Sequence, residues 1–386
     1  MRRIYLDNAA TTPLLPQVVD AMLPWLREQH GNPSSTHAHG REARVAVERA
    51  REYVAAMIGA DPREIIFTSG GTEGDNAAIY MALRAITEPA DMRILSSPAE
   101  HHAVHMPLEE RAERGARVDL LPVTPGGVAR VQDLRGAVGE HTVFCSLMHV
   151  NNETGGILPL AEVGALLREQ DVLFHSDIVQ SAGKLPVDIH AAQVDFAAMS
   201  AHKIHGPKGV GALYVRSGVD AEAFLVGGGQ ERGRRGGTEN VAGIVAFGEA
   251  ARLATAEREE RHARWTGYRT RFRDRLLDAF PQLLVNQDAD EAVLPNILSV
   301  SFPADVCAVD GAMLLLSCDL AGVSVSGGSA CASGSVQASH VMRAIGHDEA
   351  TGAATLRISF GATTTEEDVE EGSRRVLGVL REMLPG

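Results

Sequence analysis

Lys203 lies in "MSAHKIHGPKGVGALYV", residues 199 to 215, between two histidines and ahead of glycine, proline and glycine. A lysine amine attacks a carbonyl only when deprotonated, a state that desolvation or neighbouring cations favour. A stiff loop of small residues gives close approach and rigidity, which a solvated surface lysine does not need. Asp177 closes an apolar run in "VLFHSDIVQSAG", where a carboxylate calls for a cationic partner. A helix cap or a salt bridge is the plain reading. A protonated pyridine nitrogen is the chemical one, because an acid against it keeps the ring an electron sink. Upstream, "IIFTSGGTEGDNAAIYMALRAI" reads as strand, Ser-Gly-Gly-Thr and helix. Amides at such a helix start bind anions. The stretch has neither GK[ST] nor GxGxxG, so a single phosphate monoester suits it better than a polyphosphate. The alternative is a tight turn in which Thr72 caps the helix.

The histidines and cysteines add candidates. His101 and His105 in "AEHHAVH" have the i,i+4 spacing of a helical zinc pair, but no Glu of the HExxH kind separates them and no third ligand follows, so no metal site is expected. An imidazole stacked on an aromatic cofactor, able to shuttle protons, is the better use for His101. Cys145 and Cys318 read as inert buried thiols. Cys331 in "SGGSACASGS" lies among Ser, Gly and Ala, which suits an exposed nucleophile or sulfur carrier. The four cysteines form no CxxC or CxxH pair, against a zinc knuckle or a disulfide framework.

These residues need elements to place them. "PQVVDAMLPWLREQ" and "GREARVAVERAREYVAAMIG" have helical spacing, the second ending at glycine. "EIIFTSGG", "RILSSPAEH", "TVFCSLMHV", "DVLFHSDIVQ", "DFAAMSAH" and "GVGALYV" read as strands, several followed by helix-like segments. That rhythm predicts an α/β fold with a mainly parallel sheet and helices on both faces. In such sheets ligands bind at the carboxyl ends of the strands, where the polar candidates fall. Residues 248–280 read as one long charged connecting helix. "NILSVSF", "TLRISFG" and a terminal helix then make a smaller α/β domain with which the first residues pack. The expected division is 15–255 for the large domain, and 1–14 with 256–386 for the small one.

The chain has 386 residues, 45% hydrophobic and 22% charged, with a formal net charge of −14. That balance excludes disordered and fibrous classes and argues against general nucleic-acid binding. No apolar run is long enough for a bilayer, and "MRRIYLDNAATT" is not a secretory signal, so a cytoplasmic protein is expected.

Taken in order, "YLDNAATTPL", "GNPSSTHAHGREAR", "FTSGGTEGDN", "AEHHAV", "MHVNNETGGI", "HSDIVQSAGK", "SAHKIHGPKGVG", "GGGQERGRRGGTEN", "SGGSACASG" and "LRISFG" resemble the pyridoxal-phosphate cysteine desulfurases of the NifS/IscS type, nearly end to end. The resemblance implies the fold of the aspartate-aminotransferase-like enzymes (fold type I) and a homodimer with active sites near the subunit interface. It implies that Lys203 holds pyridoxal 5'-phosphate through a Schiff base and that Asp177 partners the pyridinium nitrogen. Gln180 and Asn152 stand near the phenolic oxygen, and His101 stacks on the ring. Gly71, Thr72, Ser200 and His202 form the phosphate cup, with Thr238 reaching in from the second subunit. Asn152 and Arg357 bind L-cysteine, Arg357 clamping its carboxylate as its planar fork allows. Cys331 takes the substrate sulfur as a persulfide, for transfer to an acceptor protein of iron–sulfur cluster assembly or of tRNA or nucleic-acid thiolation. The other readings are a selenocysteine lyase or another lyase with the same cofactor, and a non-catalytic scaffold on the same fold.

Some residues depart from the pattern. The small-residue loop around Cys331 is similar to the NifS/IscS group rather than the SufS-like group. His102 stands where relatives often carry lysine and has no assigned part, nor has His205. The chain lacks the longer tail with which IscS proteins dock their scaffold, which sets a standard scaffold partnership in question.

Overall fold

Short apolar strands bury alternate residues on opposite faces, and the pattern is visible residue by residue. Phe67, Leu95, Cys145 and Ala197 pack in one core, while their chain neighbours Ile66, Ile94, Phe144 and Phe196 pack in another. A sheet lies between the two. The computed structural model describes residues 2–84, 86, 92–327 and 337–384. Its strands are β1 (Ile4–Tyr5), β2 (Ile65–Thr68), β3 (Arg93–Ser96), β4 (Arg117–Leu120), β5 (Thr142–Ser146), β6 (Leu173–Asp177), β7 (Phe196–Ser200), β8 (Gly211–Val215), β9 (Leu284–Val285), β10 (Ile297–Ser301), β11 (Val323–Ser324) and β12 (Thr355–Ser359). The large sheet runs in the order β2-β8-β7-β6-β5-β3-β4. Every neighbouring pair in it is parallel except those of β8, which is antiparallel to both β2 and β7. Residues 201–210, which join β7 to β8, are fewer than the dozen or so that a parallel crossover needs. The mainly parallel α/β sheet is as expected, with this one reversal at the strand that follows Lys203.

A second core lies elsewhere. Ile4, Leu6, Trp265, Phe272, Val300, Leu356, Phe360 and Val376 share it, around an antiparallel sheet β12-β10-β9 and a parallel pair β1-β11. Ile4 and Leu6 bring the first strand into this core. The connecting helix differs from expectation. Residues 248–280 do not form one helix. Val241–Ala256 and Arg258–Ala279 are separate, broken at Glu257 (φ −105°, ψ 6°). The reason is a change of core: Phe247, Ala250 and Ala254 are buried in the first, Trp265 and Phe272 in the second. We propose the division 15–255 and 1–14 with 256–386 on that change. Among the described residues no helix is long and apolar enough to cross a membrane.

Candidate active site

The carboxyl ends of β6 and β7 open on a cavity of about 320 Å³, within the range of small-ligand sites. Ten of the residues singled out in the sequence line it together: Gly71, Thr72, His101, Asn152, Asp177, Gln180, Ser200, His202, Lys203 and Arg357. They are scattered over most of the chain, and the strand ends bring them to one place. Thr238 does not line it in its own chain and is exposed. Cys331 lies outside the described residues.

Lys203 ends a single turn of 3-10 helix directly after β7. Its Nζ donates to the carbonyls of Ala9 (2.6 Å) and Ala10 (2.8 Å). Burial and then the charge of Arg357 push its pKa down to about 8, against the pull of Asp177 and Asp7. The loop is stiff for a stated reason: a Cβ on Gly206 would lie 2.8 Å from that of Ala201, and one on Gly211 would lie 2.4 Å from Met199 O. His205, in the left-handed region at φ 69°, bolts the loop down. Its Nδ1–H donates to Pro13 O (2.8 Å) and its Nε2 accepts from Ala362 N (2.9 Å), so it ties the N-terminal segment, the lysine loop and the second core together.

Asp177 is the last residue of β6 and is buried. One oxygen accepts from Val179 N at 2.8 Å. No ion-pair partner contacts it among the described residues, and burial holds its pKa above the usual carboxylate range. Lys203 lines the same cavity and acts on Asp177 only through space, so the carboxylate is placed to take a cationic ligand group directly. Asp75, which also lines the cavity, is raised by burial and by Asp177. Its Oδ1 stands 3.3 Å from His175 Nε2 without hydrogen-bond geometry.

His101 caps the helix His102–Glu113 with its own ring: Nδ1 accepts from Ala103 N at 3.1 Å. That bond fixes the neutral tautomer with the proton on Nε2, and burial lowers its pKa. The helix Gly71–Leu83 starts at Gly70 with no side-chain cap, which rejects Thr72 as its cap. The first amides of that helix have no intrahelical partner and face a cavity shared with Ser200 and His202. A Cβ on Gly71 would come 2.8 Å from Val179 Cγ2, so only glycine leaves that wall open. The Nδ1 of His202 lies 3.1 Å from Thr11 Oγ1.

Arg357 sits on β12 with its guanidinium over the cavity. It donates to Asn152 O (2.8 Å), Asp7 Oδ1 (2.9 Å) and Ser326 Oγ (2.6 Å), and its Nε is buried without a partner. Ser326 and His340 are described residues on either side of Cys331. Ser326 bonds Arg357, and the His340 ring stands edge-on to His102 at 4.6 Å. His102 thus has a neighbour the sequence did not suggest. Cys145 and Cys318 are wholly buried, and burial raises both thiols, Cys318 to about 12. Among the described residues no group of three or more His, Cys, Asp or Glu is placed to hold a metal. Sequence reasoning missed Asp75, Met148, Val150, Val179 and the Ala9 and Ala10 carbonyls as cavity walls. It also missed Lys184, which donates to Gln180 Oε1. Of these only Asp75, a carboxylate one turn into an apolar helix, carried a signal.

Residues 4–371 match the family model described as Aminotransferase class-V. "Cysteine desulfurase" of Trichormus azollae is 42% identical over 384 residues, covering 100% of this chain and 93% of that one. "Cysteine desulfurase IscS" of Dictyoglomus turgidum is 42% identical over 387 residues, covering 100% and 97%. A solved structure titled "NIFS-LIKE PROTEIN" superposes with a TM-score of 0.90 at 35% identity, covering 98% of this chain and 100% of that one.

Proposed function

This chain belongs to the class-V aminotransferase family, among the cysteine desulfurases of NifS/IscS type, and we propose the residues and steps by which it takes sulfur from L-cysteine. The observation that carries the reading is the convergence of a half-buried, acidified lysine, a buried carboxylate with no ion-pair partner in contact and an uncapped helix start on one cavity. That donor set fits pyridoxal 5'-phosphate. An amine suits its aldehyde, an acid its ring nitrogen and free amides its phosphate. Lys203 would hold the aldehyde carbon, Asp177 the ring nitrogen, and Gln180 and Asn152 the ring oxygen. Gly71, Thr72, Ser200 and His202 would hold the phosphate, joined by Thr238 from a second copy in a homodimer. His101 would lie on the ring face. When bound, the cofactor supplies an electrophilic carbon and a ring that stores an electron pair.

The chain's own groups do the rest. Arg357, held by Asp7 and Ser326, presents the planar fork for the substrate carboxylate. Lys203, with its pKa near 8, accepts a proton at the substrate α-carbon and returns one as free amine and ammonium. His101, locked with its proton on Nε2, stands ready beside it. The Cys331 thiolate attacks the γ-sulfur of cysteine. An S–S bond forms, the C–S bond breaks with its electron pair staying on carbon, and that carbon takes a proton and leaves as alanine. The persulfide passes to an acceptor protein, of iron–sulfur cluster assembly or of tRNA or nucleic-acid thiolation, in the cytoplasm.

Cys331→Ala tests it. The variant is expected to keep the visible band of the pyridoxal-phosphate-loaded protein and to lose alanine and sulfide formation from cysteine. Retained turnover would refute the persulfide step and favour a lyase of the selenocysteine kind. A protein that stays colourless with the cofactor and takes no label on borohydride treatment would instead be a scaffold.

A further inference from the structure

Lys184 is a charged side chain that the steps above leave unused. It is 4% exposed, and among the described residues its Nζ makes one hydrogen bond, to Gln180 Oε1 at 2.9 Å, and no ion pair. Burial, with repulsion from Lys203 and Arg357, pushes it down to about 7. An amine in such a place is costly, and an apolar side chain of similar length would fill it more cheaply. What the amine secures is the direction of one amide. Gln180 is held between two fixed groups. Ala9 O can only accept and takes Gln180 Nε2–H at 2.9 Å, while Lys184 donates to Oε1. Only one orientation of the amide satisfies both, and it leaves the second Nε2 hydrogen unspent on a residue that lines the cavity. The same Ala9 carbonyl receives Lys203 Nζ at 2.6 Å. Lys184, Gln180, Ala9 and Lys203 therefore form one continuous hydrogen-bonded thread.

We propose that Lys184 is a positioning residue of the catalytic site: by donating to Gln180 Oε1 it keeps that amide's N–H, not its oxygen, turned to an anionic oxygen of the group condensed with Lys203. The proposal rests on the pyridoxal-phosphate reading above. Without the amine, Oε1 has no donor and Ala9 O alone holds the amide, so orientations that turn its oxygen toward the ligand oxygen, which would repel it, are opposed from one side only. A donor at that place stabilises the ligand oxygen's negative charge once the neighbouring proton has gone. Losing it keeps the proton on to higher pH.

The test is Lys184→Met, which keeps length and removes the donor. Two readouts apply: the pH midpoint of the visible band of the pyridoxal-phosphate-loaded protein, and cofactor affinity from titration of the apo protein. We expect the midpoint to rise by about one unit and affinity to fall about tenfold, the scale of one hydrogen bond to a charged group. Thermal stability of the apo protein should not fall, because relief of the burial cost of an amine without an ion pair offsets the one hydrogen bond lost. Gln180→Ala should shift the midpoint equally, and the double variant should shift it no further than either single one. A Lys184→Met protein with its midpoint and affinity within about twofold of wild type, or a double variant with fully additive shifts, overturns the proposal. A wild-type protein that shows no visible band and takes no borohydride label on Lys203 overturns the functional reading itself, and the proposal with it.

Discussion

Lys203 should condense with pyridoxal phosphate as though it were a far weaker base than an ordinary lysine. Its pKa is pushed from 10.5 down to about 8, first by burial and then by Arg357. At pH 7 about one amine in ten is then free, against about one in three thousand at the ordinary value, so the difference in reactive amine is roughly 300-fold. The sign is fixed: only the neutral amine attacks, so the rate rises with pH and levels off above the folded pKa. Stopped-flow absorbance of apo protein mixed with subsaturating cofactor, from pH 6 to 10, is expected to give a midpoint near 8. Borohydride reduction and peptide mass assign the label to Lys203. Arg357→Gln removes the second contribution and should carry the midpoint upward, slowing condensation at pH 7 by the same factor as the shift. A wild-type rate that still climbs without levelling off at pH 10, as an ordinary lysine would give, or a midpoint that Arg357→Gln leaves in place, would refute the argument that burial and Arg357 set the amine.

Two further outcomes concern the frame around the site. Arg51 and Glu231 are buried and joined at 2.7 and 3.0 Å. Glu231 also accepts from Phe67 N at 3.0 Å on the edge strand β2, while Arg51 donates to Ile65 O at 2.9 Å. Glu231→Ala would leave the buried guanidinium only the more exposed Glu48, 3.3 Å from its Nε, and an equilibrium urea titration is expected to show a loss of about 3 kcal/mol, the low end for a broken buried pair. A loss below about 1 kcal/mol, the worth of an exposed pair, would show that water reaches the cation. Gly71→Ala places a methyl 2.8 Å from Val179 Cγ2 in the cavity wall. Overpacking there costs about 1–3 kcal/mol, so cofactor affinity should fall roughly tenfold or more while far-UV circular dichroism stays unchanged.

How far the chain could be read without coordinates follows the range of each interaction. Strands with apolar residues on both faces were legible: "IIFT", "LFHSD" and "FAAMS" became β2, β6 and β7. β4, "RVDL", was not, because this edge strand alternates charged and apolar residues, none of them fully buried, and so has no such pattern. The reversal of β8 was written in the shortness of residues 201–210, a length signal that outranks the α/β rhythm. The break at Glu257 carries no proline or glycine. Its cause is that Phe247 and Trp265 belong to different cores, which no local propensity encodes. The site divides the same way. Lys203, Asp177 and the Gly71–Thr72 turn announce themselves through residue types set against their own neighbours. The groups that tune them do not. Ala9 offers only a backbone carbonyl, and it reaches Lys203 across 194 residues and Gln180 across 171. Lys184, four residues beyond Gln180, looks like any solvated lysine until the fold closes over it. A side chain's chemistry can be read from its type, but its pKa and its direction are set by partners that only the folded chain brings within 3 Å.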